Sequence, residues 1–381
     1  MQRKILIATT TRADWGLLAP LARRLAARPD CCVDVMASNM HLDPARGMTI
    51  DEIRADGFEP VVAPMPVGFD GAADAARAAG ALQQSVADVL ERLAPDLTVI
   101  LGDRFEMLSV AAAAVIMRVP LVHISGGEVT EGAFDDCFRH ALTKLSSLHL
   151  TATEAYRRRV IQLGERPDRV INTGAIGVMN AAAPAPMSRA ELEADLGWSF
   201  GIDALLLTVH PETLGPDNVI GPTLEALDRF PDSRVLITYP NNDPAGQRII
   251  DAVNAYAGAQ PRGRVLIVPS LGRRRYHSAL RCVRAVVGNS SSGIVEVPSA
   301  GIATVSIGNR QKGRIAAASV ISCPAQADAI ADAIGRALAS DFTGVENPYS
   351  RPDTLDLMER AVAETPLDLL RAPKKFYDIN Q

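Results

Sequence analysis

No G-x-G-x-x-G fingerprint follows the opening apolar run, which continues as "TTTRADWGLL", and no G-x-x-x-x-G-K-[ST] loop occurs in the chain. These absences weigh against hydride transfer on a dinucleotide and against ATP hydrolysis on a P-loop. There is no HExxH and no Cys/His cluster, so zinc chemistry has no ligand set. The 5 cysteines form no CxxC pair and no ladder of spacings, which points to reduced thiols and a cytoplasmic setting. No apolar run approaches the roughly 20 residues that span a bilayer, and Met1 to Thr10 reads as a strand rather than a targeting segment. A net charge of −5, spread along the chain, leaves no basic footprint for nucleic acid.

What is present is a βαβ rhythm. "KILIAT" leads into "GLLAPLARRLAAR", "LTVIL" into "FEMLSVAAAAVIM" and then "PLVHI", and "FRHALTKLSS" into "LHLTAT"; Cys31-Cys32 belongs to a further strand. Short β-type runs alternating with helical stretches imply a parallel sheet covered on both faces. The rhythm weakens across Ala181 to Gly201, read as an interdomain linker, and resumes with "ALLLTV", "RVLITY", "RVLIV", "RAVVG" and "IATVSI". At 381 residues, 48% of them apolar, the chain is long enough for two α/β domains, each with its own core. Two doubly wound domains imply a cleft where strand C-terminal ends gather.

Polar residues crowd those strand ends. Arg12 and Asp14 follow the first strand; Asp103, Arg104 and Glu106 follow "LTVIL"; His123, Glu128, Glu131, Asp135, Asp136, Arg139 and His140 follow "PLV"; His210 and Glu212 close "ALLLTV". Each group alone reads equally as a surface turn, a solvated loop or an i,i+4 helix pair. Together they suggest proton chemistry beside an anionic leaving group. In "AVVGNSSSGIVEVPSAG" a buried strand empties into Ser290, Ser291 and Ser292, with Glu296 further along a helical pattern. Backbone N–H groups and hydroxyls at such a helix start suit a nucleotide phosphate, and Glu296 suits ribose hydroxyls. The plainer alternative is a serine-capped helix.

Taken in order, "TTTRADWGLLAPL", "LGDRFEMLSVA", "HISGGEVTEG", "RHALTKLSSLHLTATEAYRRRVIQLGE", "VHPETL", "GNSSSGIVEVPS", "GNRQKGR" and the closing "KKFYDI" resemble the hydrolysing UDP-N-acetylglucosamine 2-epimerases of sialic and legionaminic acid synthesis. The resemblance runs from about Lys4 to Asp378. It implies a glycosyltransferase-B-like fold of two Rossmann-type domains with the active site between them. Residues 1–185 would handle the sugar, 200–350 would bind UDP, and 351–381 would pack back towards the first domain. It implies no metal, no redox cofactor, a nucleotide sugar and UDP as ligands, and a homo-oligomer, dimer or tetramer. The implied reaction eliminates UDP through a 2-acetamidoglucal, then adds water at C1 and a proton at C2. Asp103, Glu128, Asp135 and His210 are the implied catalytic residues. Arg12, His41, Arg104, His123, Arg139, Asn242, Tyr276, Ser290, Ser291, Ser292, Glu296, Arg310 and Arg314 are the implied substrate and UDP contacts. Two positions depart from the pattern: Leu17 stands where some relatives carry Lys, and Ser125 where others carry a carboxylate.

Overall fold

The computed structural model describes residues 2–44, 47–68, 71–131, 133–180, 186–212, 218–240 and 246–379. Among the described residues thirteen strands form two all-parallel sheets. The first contains β1 (Arg3–Thr9), β2 (Cys31–Ala37), β3 (Val61–Val62), β4 (Leu97–Leu101), β5 (Leu121–Ile124), β6 (Leu148–Thr151) and β7 (Val170–Asn172), in the order β3-β2-β1-β4-β5-β6-β7. The second contains β8 (Leu205–Thr208), β9 (Val235–Thr238), β10 (Val265–Ile267), β11 (Ala285–Gly288), β12 (Ala303–Ile307) and β13 (Val320–Cys323), in the order β10-β9-β8-β11-β12-β13. The strand runs read from sequence are all present. The edge strands β3, β7 and β13 were not among them.

Alternation along the strands explains the layering. In β1, Ile5 and Ile7 enter one core with Trp15, Leu18 and Val362, while Leu6 and Ala8 enter another with Leu82, Val86 and Val110. The second sheet repeats the scheme, with Leu205 and Leu207 on one face and Leu206 and Leu236 on the other. Successive side chains point to opposite faces, so a strand buried on both reads as a continuous apolar run. Each such Leu or Ile contributes about 1.5–3 kcal/mol when fully buried.

The chain forms two compact units: residues 1–128, 135–176 and 351–381 in the first, 129–134 and 177–350 in the second. The C-terminal stretch joins the first unit through helix Thr354–Glu364, whose Glu359 meets Arg24 at 2.6 Å. Val129–Phe134 joins the second because the Glu131 N–H donates to the Lys312 carbonyl (3.2 Å) and Gly313 leaves room for Val129. Much of the stretch read as a linker is folded: Ser188 and Glu191 form a capping box on helix Arg189–Leu196, and Leu192, Trp198 and Phe200 are core residues. Residues 181–185 lie outside the described ones.

Candidate functional site

Each sheet has a switch point, where neighbouring strands send their connections in opposite directions. In the first unit it falls between β1 and β4, in the second between β8 and β11. Open α/β sheets bind ligands at the carboxyl ends of such strand pairs. Arg12 and Asp103 follow the first pair; His210 and Ser290 follow the second.

In the first unit, Thr11 caps helix Arg12–Ala26 in a reciprocal box with Asp14. The Asp14 carboxyl also accepts from Thr10 Oγ1 (3.2 Å), and burial holds its pKa above the ordinary carboxylate range. Arg12, the first helical residue, sets its Nε 2.7 Å from Glu52 Oε1. Beyond β4 the chain turns at Gly102 (φ +75°) to present Asp103 and Arg104. Arg104 donates to the fully buried Glu106 from Nη2 (2.8 Å), and Asn39 Nδ2 donates to the same carboxylate.

Arg139 ties this end of the sheet together. It is 1% exposed, donates from Nη1 to the Glu128 carbonyl (3.1 Å) and to Asp136 Oδ1 (2.7 Å), and pairs through Nη2 with Asp103. Glu128 is buried, and Asp135 opens helix Asp135–Leu145, the helix that carries Arg139. Three sequence-read carboxylate positions therefore converge on one buried guanidinium or on its helix. Ser125, in the turn that leads to Glu128, has φ +68°, a left-handed conformation that costs a non-glycine residue of order 1–3 kcal/mol.

Two histidines have a different place from the substrate-facing one expected. His41 is fully buried between Thr9 Oγ1 and Thr49 Oγ1, both at 2.9 Å, and burial lowers its pKa to about 4. His123 is fully buried on β5 and donates from Nε2 to the Gly102 carbonyl (2.7 Å). Its Nδ1 lies 3.3 Å from Thr143 Oγ1, and burial again lowers its pKa to about 4. Both rings are neutral and spend both nitrogens on the protein. His123 thus fixes the turn before Asp103. A histidine on a fully apolar strand was the available signal.

In the second unit, Asn289 closes the end of β11 on the end of β8. His210 N–H donates to Asn289 Oδ1 (2.7 Å), and Asn289 Nδ2 donates to the His210 carbonyl (2.9 Å). The Asn289 carbonyl in turn accepts from Gln311 Nε2 (2.9 Å) and Arg310 Nη1 (3.3 Å). Glu212, weighed as a chemical group in the sequence, is a buried staple for the "GNRQKGR" loop: its Oε1 accepts from the backbone N–H of Asn309 (2.7 Å) and Arg310 (3.1 Å). Gly288 (φ +134°) must be glycine, because a Cβ would stand 1.9 Å from the Thr208 carbonyl oxygen. Gln311, Lys312 and Arg314 line a cavity of about 430 Å³ with Ile294, Ser306 and Cys323.

The serine run does not form the side-chain helix cap that was its plainer sequence reading. Ser290 occupies the N-cap position but its side chain makes no capping bond; its Oγ is 3.1 Å from Ser292 Oγ, which accepts from Tyr276 OH at 2.8 Å. The helix it opens, Ser291–Val295, has 5 residues and passes into a 3-10 turn at Val297–Ala300, so little dipole can accumulate. Glu296 lies at that junction, not further along a continuous helix. Burial pushes its pKa up to about 8, with His277 Nε2 3.5 Å away and itself lowered to about 4 by burial. Asn242 lies outside the described residues.

The family described as UDP-N-acetylglucosamine 2-epimerase matches residues 23–362. The chain belongs to that epimerase family. It is 35% identical to the polysialic acid biosynthesis protein P7 of Escherichia coli, over 99% of this chain and 98% of the relative. It is 34% identical to a Campylobacter jejuni protein named GDP/UDP-N,N'-diacetylbacillosamine 2-epimerase (hydrolyzing), over 84% of each chain. The UDP-GlcNAc 2-epimerase of Neisseria meningitidis, crystallised with UDP-GlcNAc, shares the fold with a TM-score of 0.77 and 15% identity, over 95% of this chain and all (100%) of that one. The epimerase therefore has a glycosyltransferase-B-like fold of two Rossmann-like domains. Among the described residues no helix is long and apolar enough to cross a membrane.

Proposed function

We propose that this epimerase is of the hydrolysing kind, acting on UDP-N-acetylglucosamine or its 2,4-diacetamido-2,4,6-trideoxy analogue and releasing UDP with a free N-acetylmannosamine-type sugar for nonulosonic acid synthesis. The observation that carries the reading is the buried Arg139, which pairs with the Asp103 carboxylate, donates to the backbone carbonyl of Glu128 and shares a helix with Asp135; these three residues are acid/base groups in number and kind for a proton that leaves one face of C2 and returns to the other. The Campylobacter relative's name supports the hydrolysing outcome.

A carboxylate of this cluster takes the C2 proton; the electron pair of that C–H bond forms C1=C2, and the C1–O bond breaks with its pair leaving on UDP. Water then adds at C1 of the glycal as a second carboxyl group delivers a proton to the opposite face of C2, and the proton that the water sheds returns to that carboxylate. Arg12, Arg310, Arg314 and the Ser290–Ser292 hydroxyls are suited to the departing diphosphate, with His210 beside them; Glu296 is suited to the ribose and Tyr276 to positioning Ser292. Incubation with each UDP-sugar, followed by NMR, tests this. Complete conversion to UDP and free manno-configured sugar is expected, unaffected by EDTA. An equilibrium mixture of two UDP-sugars would make it non-hydrolysing, and transfer to an added acceptor would make it a glycosyltransferase.

A further inference from the structure

Residues 373–379 are exposed and carry no regular secondary structure, yet they are held by directed contacts. Lys374 Nζ donates to three carbonyls around the end of helix Asp135–Leu145: Thr143 (3.2 Å), Lys144 (2.7 Å) and Ser146 (2.6 Å). A helix C-terminus leaves such carbonyls without intrahelical partners, and a cation there also meets the negative end of the dipole. The same ammonium lies 2.8 Å from Glu165 Oε2, whose carboxylate also accepts from Lys144 (2.6 Å) and His149 (3.0 Å). Although burial raises the Glu165 pKa, these hydrogen bonds pull it down to about 2, so the anchor stays ionised. The Tyr377 N–H donates to the Gly164 carbonyl (2.9 Å), and the Phe376 ring fills the space that a Cβ on Gly164 would need.

The helix so capped is the one that arranges the acid/base cluster. Its Arg139 grips Asp103 and the Glu128 carbonyl. One turn further, Thr143 reaches His123, which holds the Gly102 carbonyl next to Asp103. Asp103 is thus held twice by one helix, at its carboxylate and through its turn, and the far end of that helix is held by Lys374. We propose that residues 373–377 act as a strap that keeps helix Asp135–Leu145 in register, making Lys374 a positioning residue for the reaction. The catalytic part of this inference rests on the function proposed above; the strap itself does not.

The test uses the full chain with Lys374→Met and Lys374→Arg. In Lys374→Met, amide exchange at the helix C-terminus, residues 142–147, should quicken at least tenfold without substrate, while β8 and β11 stay unchanged. UDP release should slow about ten- to a hundredfold in kcat, with UDP affinity unaltered and KM within about threefold; Lys374→Arg should recover most of both. Unchanged exchange overturns the strap. Faster exchange with wild-type kcat overturns the positioning role. If the wild-type chain turns over no UDP-sugar, the functional reading fails while exchange still decides the strap. Should Lys374→Met fail to fold, Phe376→Ala removes the ring that packs against Gly164 and Lys144 Nζ while keeping the Lys374 ammonium, and is judged by the same readouts.

Discussion

Asn289 hydrogen-bonds both backbone groups of His210, accepting from its N–H at 2.7 Å and donating to its carbonyl at 2.9 Å. A side chain here completes the strand pair β8-β11 past the last backbone rungs, at the switch point of the second sheet. His210 is buried, and Asn289→Ala withdraws the side-chain amide from both of its backbone groups. Leaving a buried donor or acceptor unpaired costs about 1–3 kcal/mol. Denaturant unfolding should report at least that loss, and Asn289→Asp, which keeps the acceptor only, should fall between. Wild-type stability in Asn289→Ala would remove the clamp from the account.

Glu296 has a folded-state pKa of about 8, raised by burial. A carboxyl raised in the folded state favours folding fully below its unfolded value and loses that contribution as pH rises through about 8. Glu296→Gln should therefore flatten the stability–pH curve on the alkaline side. A ribose diol donates best to the ionised form, so UDP binding at pH 7 should release a proton. Calorimetry in buffers of different ionisation enthalpy would count it, and no proton release would disconnect Glu296 from the ribose. Loss of the charge-assisted bonds in Glu296→Ala should weaken UDP by roughly 1–3 kcal/mol.

His41 and His123 act in the opposite direction. Their pKa values are lowered to about 4 by burial, so the stability linked to their neutral forms is complete above about 6.5 and is lost as pH falls towards 4. Nitrogen-detected NMR should find both rings neutral at pH 6, with the Nε2-protonated tautomer at His123. A ring that titrates near 6.5 would contradict the buried placement.

Proton traffic gives the sharpest check on the carboxylates. Product formed in D₂O should carry deuterium at C2. Asp103→Asn, Glu128→Gln and Asp135→Asn should each slow turnover by at least about a hundredfold, the scale of a lost acid or base, with UDP affinity kept. A variant that retains wild-type turnover takes no part in the proton transfers.

Arg139 should be the most costly single loss in the first unit. Arg139→Met leaves the half-buried Asp103 and Asp136 facing an apolar stem, and losing a hydrogen bond to a charged group costs about 1.5–3 kcal/mol. Unfolding by urea measures this directly; a loss below about 1 kcal/mol would mean that water replaces the guanidinium.

Some of this protein is determined by short stretches acting alone. Runs such as "ILIA" and "AVV" are strand segments buried on both faces because every residue is apolar, whichever way it points. Polar residues placed directly after them must emerge at the sheet's carboxyl edge, which made Arg12, Asp103, His210 and Ser290 legible as strand-end residues. Tertiary structure decided the rest, because it depends on partners remote in sequence. Nothing near Glu212 announces that its carboxylate will be consumed by the backbone N–H groups of Asn309 and Arg310. Nothing near His41 announces two threonines on opposite sides of its ring. The ends of strands β3, β7 and β13, the return of Val129–Phe134 to the second unit, and the grip of Lys374 on a helix more than two hundred residues away are likewise set by hydrogen bonds across the fold. Apolar patterning is a local property of the chain; which buried polar atom finds which partner is settled only when distant segments meet.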